Sequence, residues 1–291
     1  MKTILAPGKL VLVGEYAVLD GAGAIVAAVD RGVRCVVTPG DEIVTPGDDR
    51  FVRAALVGAP AATYTFSDWN PVDRRIFARG GDKPGFGGSA AAVVAAAMAA
   101  GLPARRAYEA HAEVQGGGSG VDVFASLLGG VRRFPDGAEV ACPTLLAVWS
   151  GTSAQTGPRL AQYLAWTSRA SFVAASRSLV DAFEKDPITV IREAYLLLRA
   201  MAQDAGIAYD TPAHARITTL AASVGGAAKP SGAGGGDMAV VFLPDPEARE
   251  RFGSAVAAEG FAPLAVSIAT GAYPGARSAI ADALPPPRQE A

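Results

Sequence analysis

The run Ser89-Ala-Ala-Ala-Val-Val-Ala-Ala-Ala-Met-Ala-Ala100 constrains the fold more than any other stretch of this chain. It is almost entirely made of helix formers, with a serine at its start, Gly101 after its end and Pro103 beyond, so it reads as a helix. Its side chains are small enough for another element or a ligand to approach the backbone closely. With its flank to Leu102 it falls well short of the roughly 20 strongly apolar residues that a membrane span needs.

The loop that feeds this helix is Lys83-Pro84-Gly85-Phe86-Gly87-Gly88. Free N–H groups at a helix N-terminus, the positive end of its dipole and glycines that clear the approach path together make an anion cradle. Ser89 would offer a hydroxyl to phosphates or to their magnesium ion. The competing reading is a plain turn with Ser89 as N-cap. The spacing is neither GxxxxGK[ST] nor GxGxxG, which argues against a P-loop and a Rossmann unit.

Two further glycine stations stand on either side. The first, Ala6-Pro7-Gly8-Lys9-Leu10-Val11-Leu12-Val13-Gly14-Glu15-Tyr16, reads as turn, strand and bend; Lys9 is either a solvated edge residue or a placed cation. Only five lysines occur, at 2, 9, 83, 185 and 229, so a lysine inside a glycine motif stands out. The second, Lys229-Pro230-Ser231-Gly232-Ala233-Gly234-Gly235-Gly236-Asp237, runs into a strand at Met238–Leu243. Its backbone can wrap a charged group, with Ser231 and Lys229 as added donors; the alternative is a linker. Between them, Gly116-Gly117-Gly118-Ser119-Gly120-Val121-Asp122 places a carboxylate that is either a helix N-cap or a positioned acid or base.

Composition sets the outer bounds. The 291 residues, 50% hydrophobic and 19% charged, can bury a large core as one large domain or two medium ones, which excludes disorder and a coiled coil. With 26 basic and 28 acidic residues, a net charge of -2 and no basic tract, a nucleic-acid partner is not expected. Cys35, Cys142, His111 and His214 are too scattered for a zinc site or a disulfide framework, which suits a reducing cytoplasm. The N-terminus, broken by Pro7, lacks the plan of a signal peptide, so we expect a soluble, cytoplasmic protein, a monomer or homodimer, without membrane partners.

Along the chain, short strands are expected at 10–13, 24–29 and 33–37, helices at 89–100 and about 104–115, and a strand at 145–149 entering a small-residue loop, Ser150 to Gly157. The second half opens helical, at 171–185, after Asp186-Pro187 and after Thr211-Pro212, and continues with a strand at 238–243, a helix over about 245–259 and a strand at 264–268. We place the domain division so that residues 1–155 and 156–291 form two units of an α+β protein.

The stations, in this order from residue 6 to about 243, resemble the GHMP small-molecule kinases. Within that superfamily Lys229 and Asp237 flanking Ser-Gly-Ala-Gly-Gly-Gly, together with Gly14-Glu15-Tyr16-Ala17-Val18-Leu19, are most similar to the phosphomevalonate kinases. The resemblance implies an N-terminal domain like the second domain of ribosomal protein S5, a C-terminal ferredoxin-like domain and a cleft between them. It implies ATP and magnesium (Mg2+) as cofactors and mevalonate 5-phosphate as the small-molecule partner, with a mevalonate kinase or another GHMP kinase as alternative. By position, Gly85, Gly87, Gly88 and Ser89 would hold the ATP phosphates, with Ser89 near magnesium. Lys9 would bridge donor and acceptor, and Asp122 would orient Lys9 or the substrate. Ser119, Gly120, Ser231, Gly232 and Ala233 would line the acceptor side, joined by Thr152, Ser153 and Thr156.

The chain departs from the family at two places. Phe86 and Gly88 replace a leucine and a serine of the usual loop, and spacing from Asp122 puts the family's magnesium-binding glutamate at His111, a position that reads as structural. These departures motivate a competing expectation, a non-catalytic ligand-binding homologue.

Overall fold

The computed structural model describes residues 1–71 and 85–273. Its first half is a five-stranded sheet covered by helices. Strand β1 (Lys2–Val13) pairs antiparallel with β2 (Ala24–Thr38) along nearly its whole length. After β3 (Ile43–Val44) and helix α1 (Arg50–Ala55), β4 (Thr63–Trp69) pairs with the distal half of β2. Helices α2 (Gly88–Ala100), α3 (Arg105–Gln115) and α4 (Val121–Leu128) follow, and β5 (Val131–Phe134) pairs with residues 24–27 of β2.

The second half carries β6 (Leu146–Trp149), α5 (Thr156–Ala165), α6 (Ala170–Ala182), α7 (Pro187–Ala205), α8 (Pro212–Ser223), β7 (Ala227–Pro230), β8 (Met238–Phe242), α9 (Pro246–Ala258) and β9 (Pro263–Ala265). Its sheet is antiparallel in the order β7-β8-β6-β9. Because β6 pairs with β8 and β9, cutting the chain at residue 155 would sever it from its own sheet.

Side-chain alternation explains the layering. On β1, Val11 packs with α2 and α4 through Val93, Val94 and Phe124, whereas Leu10 and Leu12 pack on the opposite face with Phe183, Ile191 and Val240. Every residue of β1 from Ala6 to Val13 is buried, so both faces are covered and each leucine contributes roughly 1.5–3 kcal/mol. On β8, Val240 and Phe242 face the first sheet while Ala239 and Val241 face Ile217, Leu220 and Phe252. Helix α2 is buried on nearly all sides, as an uncharged alanine helix must be, and packs on β1 and β2.

The halves are clipped together. After β9 the chain returns to the first sheet, where Asp30 N–H donates to Ser267 O and Ala269 N–H to Ala28 O, with bridges Val29 to Ile268 and Gly129 to Thr270. Two short expected strands at 24–29 and 33–37 are one strand, β2. The Asp30-Arg31-Gly32 break is absorbed by a register shift opposite Pro7 and Gly8, where any Cβ on Gly32 would stand 2.1 Å from Ala6 O. The caps read at Asp186 and Thr211 form, and Asp245 caps α9 in the same way, each side chain accepting from the amide three residues on. Elements β3, α1, β4, α4, β5, α5 and β7 add to the expected set. Among the described residues no helix is long and apolar enough to cross a membrane.

Candidate active site

Alternation on β1 puts Lys9 on the same face as Val11, toward α2 and α4. Its backbone N–H donates to Phe86 O at 2.8 Å, which ties the strand to the glycine loop. Gly87 adopts φ +72°, and a Cβ there would lie 3.1 Å from Lys9 Cε, so the loop wraps the lysine's stem. Gly87 is the N-cap of α2, Ser89 is two residues into the helix, and the first-turn amides lack intrahelical acceptors. Ser89 is therefore not the cap; its Oγ lies 3.3 Å from His111 Nε2.

Gly120 caps α4 with φ +76° and has the ring of Tyr108 beneath it, 2.7 Å from where a Cβ would be. Asp122 thus stands in the first turn of α4, and its carboxylate lies 3.7 Å from Lys9 Nζ. A cavity of about 120 Å³ opens beside this pair, walled by Lys9, Asp122, His111, Ser119, Gly232 and Ala233 on its polar side. Val11, Val18, Leu19, Val121 and Leu160 are its apolar lining, and Glu15, Tyr16, Gln115, Gly118, Gly120 and Thr156 line it as well. Burial holds the His111 imidazole below its usual range; Asp122 opposes that shift and Lys9 reinforces it. Burial likewise pushes the Tyr16 phenol up.

The late glycine loop meets this wall from the other half. Ser231 Oγ accepts from Val11 N–H at 2.9 Å and lies 3.3 Å from Val11 O, so its hydroxyl is spent on β1. Tyr16 OH donates to Ala233 O at 2.6 Å. Lys229, read as a donor for a ligand, is fully buried and pairs with Glu15.

The structure therefore brings Lys9, Asp122, Ser119, Gly120, Gly232 and Ala233 to one cavity and sets Gly87 and Ser89 at its edge through Lys9 and His111. Gly85 sits under Asp237, 2.4 Å from its Cβ when given a Cβ of its own, and Gly88 faces open space. Thr152 and Ser153 are exposed and lie off the cavity wall; Thr152 O accepts from Asp237 N–H at 2.7 Å. Arg132 is spent on Gly129 O and Gly137 O, Arg133 on Asp181, and Arg159 on Ala208 O and Gln155 O. Arg74, Arg75, Lys83 and Pro84 lie outside the described residues. Asn70 donates to Asp30 O, a surface contact. Sequence reasoning missed Glu15, Tyr16 and Leu160 as wall residues and took His111 for structural. The i, i+2 relation of Lys9 and Val11 was the available signal for which way the site faces.

Two lobes clipped on one side, a glycine loop at the start of a buried helix and a lysine–aspartate pair beside it define a GHMP-type small-molecule kinase. A Streptococcus pneumoniae phosphomevalonate kinase structure, in complex with phosphomevalonate and AMPPNP, shares this fold with TM-score 0.71 at 18% identity, over 92% of this chain and 100% of that one. A phosphomevalonate kinase of Streptomyces sp. (strain CL190) is 31% identical over 82% of this chain and 88% of its own length. The chain belongs to the phosphomevalonate kinase family. A mevalonate kinase of Archaeoglobus fulgidus is 29% identical over 54% of this chain and 61% of its own length. No family model matches the chain.

Proposed function

We propose that this ATP-dependent phosphotransferase moves the γ-phosphoryl group of ATP to the phosphate of mevalonate 5-phosphate, giving mevalonate 5-diphosphate and ADP. The observation that carries the reading is Lys9, wrapped by the phosphate loop at Gly87 and 3.7 Å from Asp122 on the cavity wall. A phosphate monoester has a second pKa near 6, so at neutral pH the acceptor is already an anion. It needs a cation beside it more than a base.

In this reading Lys9 holds its ammonium between the donor and acceptor oxygens, and Asp122 holds Lys9. Gly87, Gly88 and Ser89 present the helix-start amides and a hydroxyl to the ATP phosphates, while Gly85, packed under Asp237, holds the loop that leads to them. Ser119, Gly120, Gly232 and Ala233 border the acceptor, and Ser231 fixes that border to β1. The second half, which includes β6, closes the far wall. Positioning of this kind accounts for most of phosphoryl transfer.

Magnesium fits this site as an ion that arrives with ATP. The described residues contain no cluster of three or more His, Cys, Asp or Glu side chains that would cage a metal. Ser89 supplies one hard oxygen, and a hard cation of this size keeps several waters and takes phosphate oxygens for the rest. When bound it would neutralise phosphate charge. His111, a nitrogen donor, is no substitute for a carboxylate toward it.

The test is ADP release by purified protein with MgATP and, separately, mevalonate 5-phosphate, mevalonate, mevalonate 5-diphosphate and homoserine. Turnover confined to mevalonate 5-phosphate is expected. Turnover only with mevalonate would reassign the acceptor to an alcohol and Asp122 to a base, the reading the Archaeoglobus relative favours. ATP binding without turnover on any acceptor would favour a non-catalytic homologue.

A further inference from the structure

The most deeply buried charges in the described chain are used by no step above. Lys229 has no exposed surface, and Glu15 is 4% exposed. The Lys229 ammonium donates to Glu15 Oε1 and, at 3.0 Å, to Pro230 O. The same Glu15 oxygen accepts from Gly232 N–H at 3.3 Å. Taking two charges out of water costs several kcal/mol per ion, and a buried pair of this kind is commonly no more stabilising than apolar residues of the same shape. Stability alone gives little reason for it.

Its position gives a better one. The loop that follows Lys229 is tied to the β1 end of the chain at successive residues: Ser231 to Val11, Gly232 to Glu15, and Ala233 to Tyr16. A Cβ on Gly232 would stand 3.6 Å from Lys9 Nζ, so this loop is the wall against which the ammonium rests. Glu15 is the joint: it binds the lysine at the base of the loop and the amide at its tip with one carboxylate oxygen.

We infer that the buried Lys229–Glu15 pair is a positioning element of the phosphoryl-transfer site, fixing the Ser231–Ala233 loop and through it the place of the Lys9 ammonium. The inference rests on the proposed role of Lys9 in transfer. Neither residue touches a reacting atom; each acts through the loop.

The test joins kinetics to lysine-selective 13C NMR, since the chain has only five lysines and the Lys9 Cε–Hε signal is assigned by its loss in Lys9→Met. Single neutral variants strand a buried charge, so the main variant is the double Glu15→Gln/Lys229→Met. It is expected to unfold near the wild-type temperature and to show a displaced Lys9 signal in the absence of acceptor. Its kcat should fall about 10- to 100-fold while the KM for MgATP stays within about threefold. A native Lys9 signal with kcat within about twofold of wild type overturns the inference.

Should the double variant not fold, Glu15→Asp keeps both charges but withdraws the carboxylate from Gly232. It should again move the Lys9 signal and lower kcat, and a native signal with native kcat refutes the role. The NMR reading does not depend on the acceptor. Wild type inactive on mevalonate 5-phosphate, with the Lys9 signal still displaced in the variants, would sink the functional reading and support the positioning role.

Discussion

Replacing Lys9 with methionine separates the chemistry of this site from its fold. The methionine keeps an unbranched stem where Gly87 wraps it and deletes only the ammonium. Two unit charges 3.7 Å apart, as Lys9 and Asp122 are, interact by about 4.5 kcal/mol at an effective dielectric of ~20. The Asp122 side chain is 30% exposed, however, so water takes over most of its solvation once the lysine is gone. The folding cost is therefore about 1 kcal/mol or less, a melting shift of a few degrees. In the proposed function, with ATP and acceptor bound, the same ammonium would face phosphoryl oxygens that gain charge in transfer. Loss of one such preorganised donor typically lowers kcat by about 10²- to 10³-fold, roughly 2.7–4 kcal/mol. Coupled ADP release at saturating MgATP and acceptor, with a thermal melt alongside, reads both quantities. A variant that melts like wild type and keeps kcat within about tenfold would refute the assignment of Lys9 to the reacting oxygens.

Asp122→Asn should lower kcat about 10- to 100-fold without adding a limb to the pH–rate profile above pH ~7, because a phosphate acceptor needs no base there. A new rise toward high pH would point to an alcohol acceptor. Gly87→Ala forces φ +72° on a residue with a Cβ 3.1 Å from Lys9 Cε, so it should cost roughly 1–2 kcal/mol of stability and lower kcat as well. Gly88→Ala meets nothing within 4 Å and should leave melting unchanged; a raised KM for ATP would then report phosphate approaching that amide, and an unchanged one would count against the cradle. Burial pushes the fully buried His214 imidazole down to about 4, while the unfolded chain titrates near 6.5. The unfolded state then takes up the proton first as pH falls. Stability present above pH ~6.5 is lost toward pH 4, by about 2 kcal/mol between pH 7 and pH 5. Urea unfolding at those two pH values should show this loss and its absence in His214→Gln; equal slopes in both proteins would sink it.

Much of this architecture was legible residue by residue. The alanine helix, the Asp186 and Thr211 caps and the apolar runs of β1 and β8 are local signals, and local propensity and capping chemistry act wherever the chain later places them. Elements that rest on distant partners were harder. β4 exists because β2 offers an open edge, and β6 belongs with strands that follow it by some ninety residues and more. Helix α5 begins in a stretch whose small residues read as loop throughout.

The site divides the same way. That Lys9, the glycine loop before α2 and Asp122 are candidates for the chemistry could be argued from residue type and order, because glycine at a helix start and a rare lysine have a local meaning. Which way Lys9 points, that Ser231 is spent on Val11, and that Lys229 faces Glu15 rather than a ligand are contacts across roughly 110 to 220 residues. Sequence patterns specify what a residue offers. Only packing, which decides what reaches it and what water is excluded, determines whether that offer is spent on the fold or left open to a substrate.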